Sequence, residues 1–374
     1  MKETTLPTSI AGIASSAPRE VLTRDSRYVV LADLRMGDGG SKDELAGQKR
    51  ALFDILGSWY LPRGFTLVLD GDVEDLHRFW LKDIMAAWAE LYAVFDAFRD
   101  SGRLRKIAGE RDLALLRLRS YPYELAHALR LEGEHGRLLV LHGHQASPPC
   151  LGRDYVSDYM VHWLGSGSRP KSRPKAGPGD RKARFQAERR LYRAACELGS
   201  LIVQGHTHRP LFESRTNRDS VRAEVERLLR EGDPRLGDSK VDELLAIYRR
   251  EERRGSRRYV HSGSAYAPSA PAAPCLFGPG RAVSAKVEGA RAIRALEIDG
   301  DTIRLARWVK ADRWGDFPRR ALSRGAIGME ESLDGPESLD GTLYVRCRTR
   351  EASLDELFER VALLCPGDAK GDDQ

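Results

Sequence analysis

The chain has 374 residues, 41% apolar and 31% charged, which is enough apolar material for a full core and excludes a chain disordered throughout. Its net charge of +6 resides in residues 169–184 (RPKSRPKAGPGDRKAR), where seven basic side chains meet one acidic; the remainder sums to zero, which argues against a nucleic-acid partner. No uncharged apolar run of 18 residues predicts a membrane span, no signal-peptide pattern opens the chain, and five scattered cysteines without a CxxC pair predict neither a disulfide framework nor a zinc ribbon, so a cytoplasmic protein in a reducing compartment is expected.

Short Val-, Ile- and Leu-rich runs recur along the chain and read as buried strands: Tyr28 to Ala32, Phe65 to Leu69, Leu104 to Ala108, Arg137 to Leu141, Leu201 to Gln204 and Arg258 to His261. A final pair, Ile293 to Ile298 and Thr302 to Trp308, is joined by Asp299-Gly300-Asp301, which is hairpin chemistry. Helical patterns fill two of the gaps. One runs from Ser41 to Tyr60, with Ser41 and Glu44 as a capping box, and the other from Leu81 to Phe98. This alternation predicts an α/β core. The Pro-, Gly- and Ser-containing 169–184 stretch reads as a flexible linker or flap, and the charged 215–254 segment as an inserted helical hairpin. An N-terminal extension (1–25), a main domain (26–325) with insertions at about 165–198 and 215–254, and an acidic linker followed by a small βα piece capped by Ser353 and Glu356 (326–374) complete the expected organisation.

Five successive strands end in polar groups near glycine: Asp33-Leu34-Arg35-Met36-Gly37-Asp38, Asp70-Gly71-Asp72 with Val73-Glu74-Asp75 following, Gly109-Glu110-Arg111-Asp112, His142-Gly143-His144 and Gly205-His206-Thr207-His208. Ligands of open α/β sheets bind beyond the carboxyl ends of the strands, and glycine there lets backbone approach closely. Mixed Asp, Glu and His donors suit a divalent ion, with Mn foremost and Fe, Zn or Mg as the other candidates. His144 follows the GH motif and reads either as reaching the site or as a loop histidine satisfied by backbone, and Trp59, Trp80 and Trp88 read as core.

Over residues 26 to 310 this ordered set resembles the calcineurin-like metallophosphoesterase superfamily, whose motifs run DxH, GDxxD, GNH(D/E), GH and GHxH. The resemblance implies a four-layer α/β/β/α sandwich, here with helical insertions and a C-terminal βα appendage. It implies two ion sites: Asp33, Asp72 and His208 at the first, and Asp72, Glu110, His142 and His206 at the second, with Asp72 bridging. Arg35 replaces a ligating histidine, and a protonated guanidinium has no lone pair to give, so the expectation is one firmly held ion with Arg35 supplying fixed positive charge at the other position. Glu110 in place of Asn keeps an oxygen donor. Arg111 resembles the arginine of the GNRD variant in the UDP-2,3-diacylglucosamine pyrophosphatases of lipid A biosynthesis. With Arg35 and Asp112 it makes up the implied catalytic set, and as a phosphate clamp that donates protons poorly it favours substrates with good leaving groups.

The expected activity is hydrolysis of a phosphodiester or pyrophosphate in a phosphate-containing small molecule, a nucleotide-sugar or a glycolipid precursor, in the last case with the protein peripheral to a membrane. The competing expectation is a catalytically degenerate binding or regulatory module in which Arg35 and Arg111 neutralise orphaned carboxylates.

Overall fold

The computed structural model describes residues 9–147, 181–214, 273, 275–283, 292–310, 332–333, 337–339 and 342–365. The predicted strand at 258–261, the 215–254 insertion and most of the basic stretch lie outside these residues. One sheet orders its strands β13 (Ser332–Leu333), β15 (Thr342–Ser353), β12 (Thr302–Lys310), β11 (Ile293–Asp299), β2 (Arg27–Ala32), β3 (Thr66–Asp70), β4 (Leu104–Ile107) and β5 (Leu125–Ala126), with β14 (Glu337–Leu339) also on β15. The other runs β1 (Arg19–Val21), β6 (Leu129–Glu132), β7 (Arg137–Leu141), β8 (Leu201–Gln204), β10 (Leu276–Pro279) and β9 (Pro210–Leu211).

Period-2 alternation makes these two sheets face each other. On the first sheet Val30, Val68, Leu296 and Ile298 join one apolar core with Leu138, Val140, Leu201 and Val203 of the second, while Val29, Leu31, Leu67 and Leu69 point the opposite way into a separate core. That outer core is closed by helices α2 (Lys49–Asp54), α3 (Leu81–Ala87) and α4 (Ala89–Asp100). Helices α1 (Ile10–Ser16), α5 (Arg181–Leu198) and α6 (Leu354–Leu364) pack into the core of the second sheet. The result is the expected α/β/β/α layering, with the 181–198 segment as an integral layer.

Pairing register places the site. Strands β2, β3 and β4 are parallel with Ala32 opposite Asp70 and Asp70 opposite Ile107, so the residues that follow each strand emerge at one edge. Leu141 of β7 is opposite Gln204 of β8, which does the same for His142 and Gly205.

Two helix predictions need correction. The first helix does not begin at Ser41: a 3-10 turn at Ala46–Gln48 leads into α2, which continues as a π-helical turn over Ile55–Tyr60. The capping box is absent because its neighbours claim the chain. Asp43 accepts the amides of Gly39 (3.0 Å) and Leu45 (2.9 Å), and Glu44 pairs with Arg281 (2.6 Å) and Arg78 (3.3 Å). The predicted Leu81 to Phe98 helix breaks at Trp88 (φ −111°, ψ 22°), whose fully buried indole donates to Gly37 O (2.9 Å) and Asp43 Oδ2 (3.1 Å). Tertiary hydrogen bonding overrides local periodicity at both places.

The C-terminal βα unit is present and built into the sandwich: β15 pairs along the length of β12, and Ser353 accepts from the Glu356 amide to cap α6. Both Ser353 Oγ–H (2.7 Å) and the Asp355 amide (2.9 Å) donate to Asp301 of the β11–β12 turn. The expectation of unpaired cysteines is also corrected, because Cys196 on α5 and Cys365 after α6 form a disulfide. Partners 169 residues apart leave no spacing signal in the sequence. No helix among the described residues is long and apolar enough to cross a membrane.

Candidate metal centre

Backbone strain concentrates at the aligned strand ends. Asp33 (φ 55°), Arg35 (φ 55°), Asp72 (φ 51°), His206 (φ 53°) and His208 (φ 59°) are all in the left-handed region, which costs of order 1 kcal/mol or more per non-glycine residue and persists where the surroundings over-determine it. Backbone bonds from Asp33 N to Gly71 O (3.1 Å), Arg35 N to Asp72 O (2.9 Å) and Met36 N to Val73 O (2.8 Å) lock the first two motif loops together. Two glycines are required by close approach: a Cβ at Gly109 would stand 2.2 Å from Asp72 N, and one at Gly71 2.4 Å from the His142 ring.

Within this frame one donor atom each from Asp33, Asp72 and His142 lies within 4.8 Å of the others, and all three residues are fully buried. The imidazoles are held by their outer nitrogens. His142 Nδ1 meets Asp70 O at 2.8 Å and His206 Nε2 meets Ser147 Oγ at 2.9 Å. Their inner nitrogens, His142 Nε2 at 3.4 Å from Asp72 Oδ1 and His206 Nδ1 at 3.6 Å from Glu110 Oε2, have no hydrogen-bond partner among the described residues, nor do Asp33 Oδ2 and Glu110 Oε1. Buried polar atoms left unpaired carry a large desolvation cost, and fixing one ring nitrogen so that the other aims inward is how metal-ligating histidines are oriented. Glu110, His142 and His206 therefore offer unpartnered donors to a divalent ion, with the Asp72 carboxylate 3.4 Å from His142 Nε2 beside them.

The position next to it is already filled by charge. Arg35 places one terminal nitrogen 3.4 Å from Asp72 Oδ2 and 3.8 Å from Asp33 Oδ1, and His208 Nε2 meets Asp33 Oδ1 at 3.1 Å. All six predicted donors are brought together, but Asp33 is partnered with both His208 and Arg35.

Arg111, expected as a phosphate clamp, here faces carboxylates. Its guanidinium donates to Asp75 Oδ1 (2.6 Å) and stands 3.4 Å from Asp72 Oδ2, while its amide donates to Asp72 Oδ1 (2.9 Å). It therefore positions the Asp72 carboxylate. Asp112 is likewise a brace, accepting the amides of Val73 (2.7 Å) and Gly109 (2.6 Å) and tying the second motif to the third.

Burial pushes the His142 imidazole down, but the carboxylates of Asp72, Asp33, Asp70 and Glu110 outweigh it and raise the group to about 9. His206, in contrast, is lowered to about 3 by burial and by His142. Burial alone would raise Asp72, yet His142, Arg35 and Arg111 hold it below the ordinary carboxylate range. Glu110 is raised by burial and by the Asp72 charge. A proton on His142 thus stands where a cation would sit, and the two compete. Ion affinity is expected to rise with pH until it levels off above about 9, where that proton is lost, and to fall steadily as the pH drops below that value. Calorimetric titration with Mn at several pH values checks this, and a pH-independent affinity would remove His142 from the donor set.

Three further residues stand at the site: His144 and Asp70, which the sequence places at strand ends but not among the ligands, and Ser147. His144 is buried, with its ring 5.5 Å from that of His142 and 6.4 Å from that of His206. Asp70 lies beneath the site with neither carboxylate oxygen hydrogen-bonded among the described residues, and burial first, then neighbouring carboxylates, raise it to about 7. Ser147 carried no motif signal at all.

No family description and no curated protein matches this chain by sequence. Among solved structures, a Vps29 single mutant from Entamoeba histolytica is similar at 11% identity over 76% of this chain and 93% of that one, with a TM-score of 0.32. A dimetal phosphatase from Danio rerio is similar at 13% identity over 75% of this chain and 95% of that one, with a TM-score of 0.33.

Proposed function

We propose that the chain is a metal-dependent phosphohydrolase of metallophosphoesterase type, cleaving a phosphodiester or pyrophosphate bond with one firmly held divalent ion. The observation that carries this reading is the set of buried donor atoms without hydrogen-bond partners among the described residues on Glu110, His142 and His206, beside the fully buried Asp72 carboxylate. A divalent ion bound there would polarise a phosphoryl oxygen and lower the pKa of a water at neutral pH. The chain's own residues do the rest. Arg111 and Asp112 fix the geometry of the Asp72 and Glu110 loops. Arg35, whose Nε has no hydrogen-bond partner among the described residues, presents positive charge beside the ion to a phosphoryl oxygen. Arginine is a poor proton donor, so a leaving group that departs as an anion, such as the nucleoside monophosphate of a nucleotide-sugar or the phosphate of a glycolipid precursor, is the substrate class that fits.

The test is hydrolysis of bis(p-nitrophenyl) phosphate and of a nucleotide-sugar pyrophosphate by the purified chain with added Mn. Turnover that disappears on chelation and returns with Mn is expected. A protein that retains its ion yet turns over neither substrate with any divalent metal is a degenerate binding module. The contacts of Arg35 and Arg111 with Asp72 favour that second reading, because they already supply counter-charge to the central carboxylate.

Turnover separates the two readings, and counting ions tests the role given to Arg35. The unmodified chain is expected to hold one ion per molecule by elemental analysis, and Arg35→His to hold two, since imidazole restores a donor beside Asp33 and His208. Two tightly held ions in the unmodified chain would overturn the role given to Arg35.

A further inference from the structure

A second group of ligand-type side chains lies away from the strand-end site. Cys196 on α5, Cys275 immediately before β10 and Cys365 directly after α6 bring their sulfurs within 4.8 Å of one another. Cys196 and Cys365 are joined, and Cys275, a free thiol, stands with Sγ 4.0 Å from Cys196 Sγ.

Two uses of a third sulfur can be told apart by shape. If Cys275 were set to attack the disulfide, it would lie on the S–S axis, and a bond of about 2 Å plus the 4.0 Å approach would put the outer sulfurs about 6 Å apart. They are within 4.8 Å, so the sulfurs form a triangle. Three thiolates about 2.3 Å from one central ion in a plane stand about 4 Å apart, which is the separation between Cys196 and Cys275.

The surroundings select the kind of ion. No His, Asp or Glu joins the three cysteines in this group among the described residues. Ser214 Oγ, 3.8 Å from Cys275 Sγ, is committed elsewhere, donating to Ala273 O (2.9 Å) and accepting the Leu276 amide (2.9 Å). Cys275 and Cys365 belong to the apolar core, with the partly buried Cys196 packed against them as the point of entry. The Tyr192 carbonyl, 4.0 Å from Cys275 Sγ, is a main-chain oxygen and no charged donor, so a three-sulfur set without carboxylate or imidazole selects a soft cation.

We propose that, when the Cys196–Cys365 disulfide is reduced, Cys196, Cys275 and Cys365 form a three-thiolate site for a soft cation of the Cu(I) type, and that closing the disulfide abolishes it. A dithiol reductant supplies the two electrons and two protons that convert the S–S bond into two thiols, leaving as its own cyclic disulfide. Each cysteine releases its proton as it takes the ion.

The full chain is reduced with dithiothreitol, desalted without oxygen and titrated with Cu(I) against bicinchoninate. One Cu(I) per reduced chain with thiolate-to-copper absorption is expected, with binding about ten-fold or more weaker in Cys275→Ser. Should Cys275→Ser fail to fold, the oxidised unmodified chain gives the same reading without a substitution, because it is expected to show no Cu(I) with that absorption. Failure of the reduced chain to outcompete bicinchoninate, equal binding by the oxidised chain, or undiminished affinity in a folded Cys275→Ser would each overturn the proposal.

Discussion

Asp72→Asn is expected to lower kcat/KM by about 10³-fold or more, equivalent to about 4 kcal/mol of transition-state stabilisation, and to abolish tight ion binding. The substitution preserves shape, removes the charge and turns one of two accepting oxygens into an NH2 donor. That charge faces a crowd: Arg35 at 3.4 Å, Arg111 at 3.4 Å and His142 at 3.4 Å, all around a fully buried carboxylate. With the charge gone, the guanidiniums lose their shared partner inside the protein and the ion loses the carboxylate nearest its other donors. Breaking a buried pair from one side costs about 3–5 kcal/mol, and the low end applies because His142 can shed its proton and Arg35 reaches solvent. Steady-state kinetics and urea denaturation on the same preparation check both parts. If Asp72→Asn keeps its ion and more than about a tenth of the activity, the assignment of the central carboxylate is wrong.

The positions of the ligand-type residues were legible because strand chemistry is local. An apolar run ending in glycine and a carboxylate or imidazole marks both the strand and its end, and parallel register then aligns Ala32, Asp70 and Ile107 without further information. What those side chains touch is set by tertiary partners. Arg111 turns to Asp75 because that carboxylate, on a different loop, is held within 2.6 Å, a neighbour the chain order conceals. Asp112 is occupied by two backbone amides for the same reason. His144 reads either way until folding buries it against two other rings. The cysteine triangle draws on residues 196, 275 and 365, and the break at Trp88 depends on acceptors at Gly37 and Asp43.

Beneath the site lies an ion pair that no motif announced, and it carries the largest expected effect on stability. Lys106 of β4 and Glu74 of the second motif are both fully enclosed, with Nζ 2.7 and 2.6 Å from the two carboxylate oxygens. Tyr92 (2.8 Å) and Tyr121 (2.6 Å) donate their hydroxyls to Glu74 Oε1. Burial first, and the Glu74 charge second, push both phenols well above their ordinary range, so the network has one anion, one cation and two neutral donors. Lys106→Met removes the cation while keeping the length of the stem. It leaves Glu74 charged and without a counter-ion, an imbalance of about 3–5 kcal/mol. Pairing it with Glu74→Gln, whose carbonyl still accepts from the tyrosines, should recover most of that loss, because the penalty belongs to the unpaired charge and not to the missing ammonium. Chemical denaturation of both single variants and the double variant measures the coupling, and simple additivity would show that the two groups act independently. Glu74 lies two residues beyond Asp72, and Met36 bridges to it from the first motif loop, so loosening this pair is also expected to weaken ion affinity without touching a donor atom. A Lys106→Met protein that is destabilised yet binds its ion unchanged would show that the Asp72 loop is held by Arg111 and Asp112 alone.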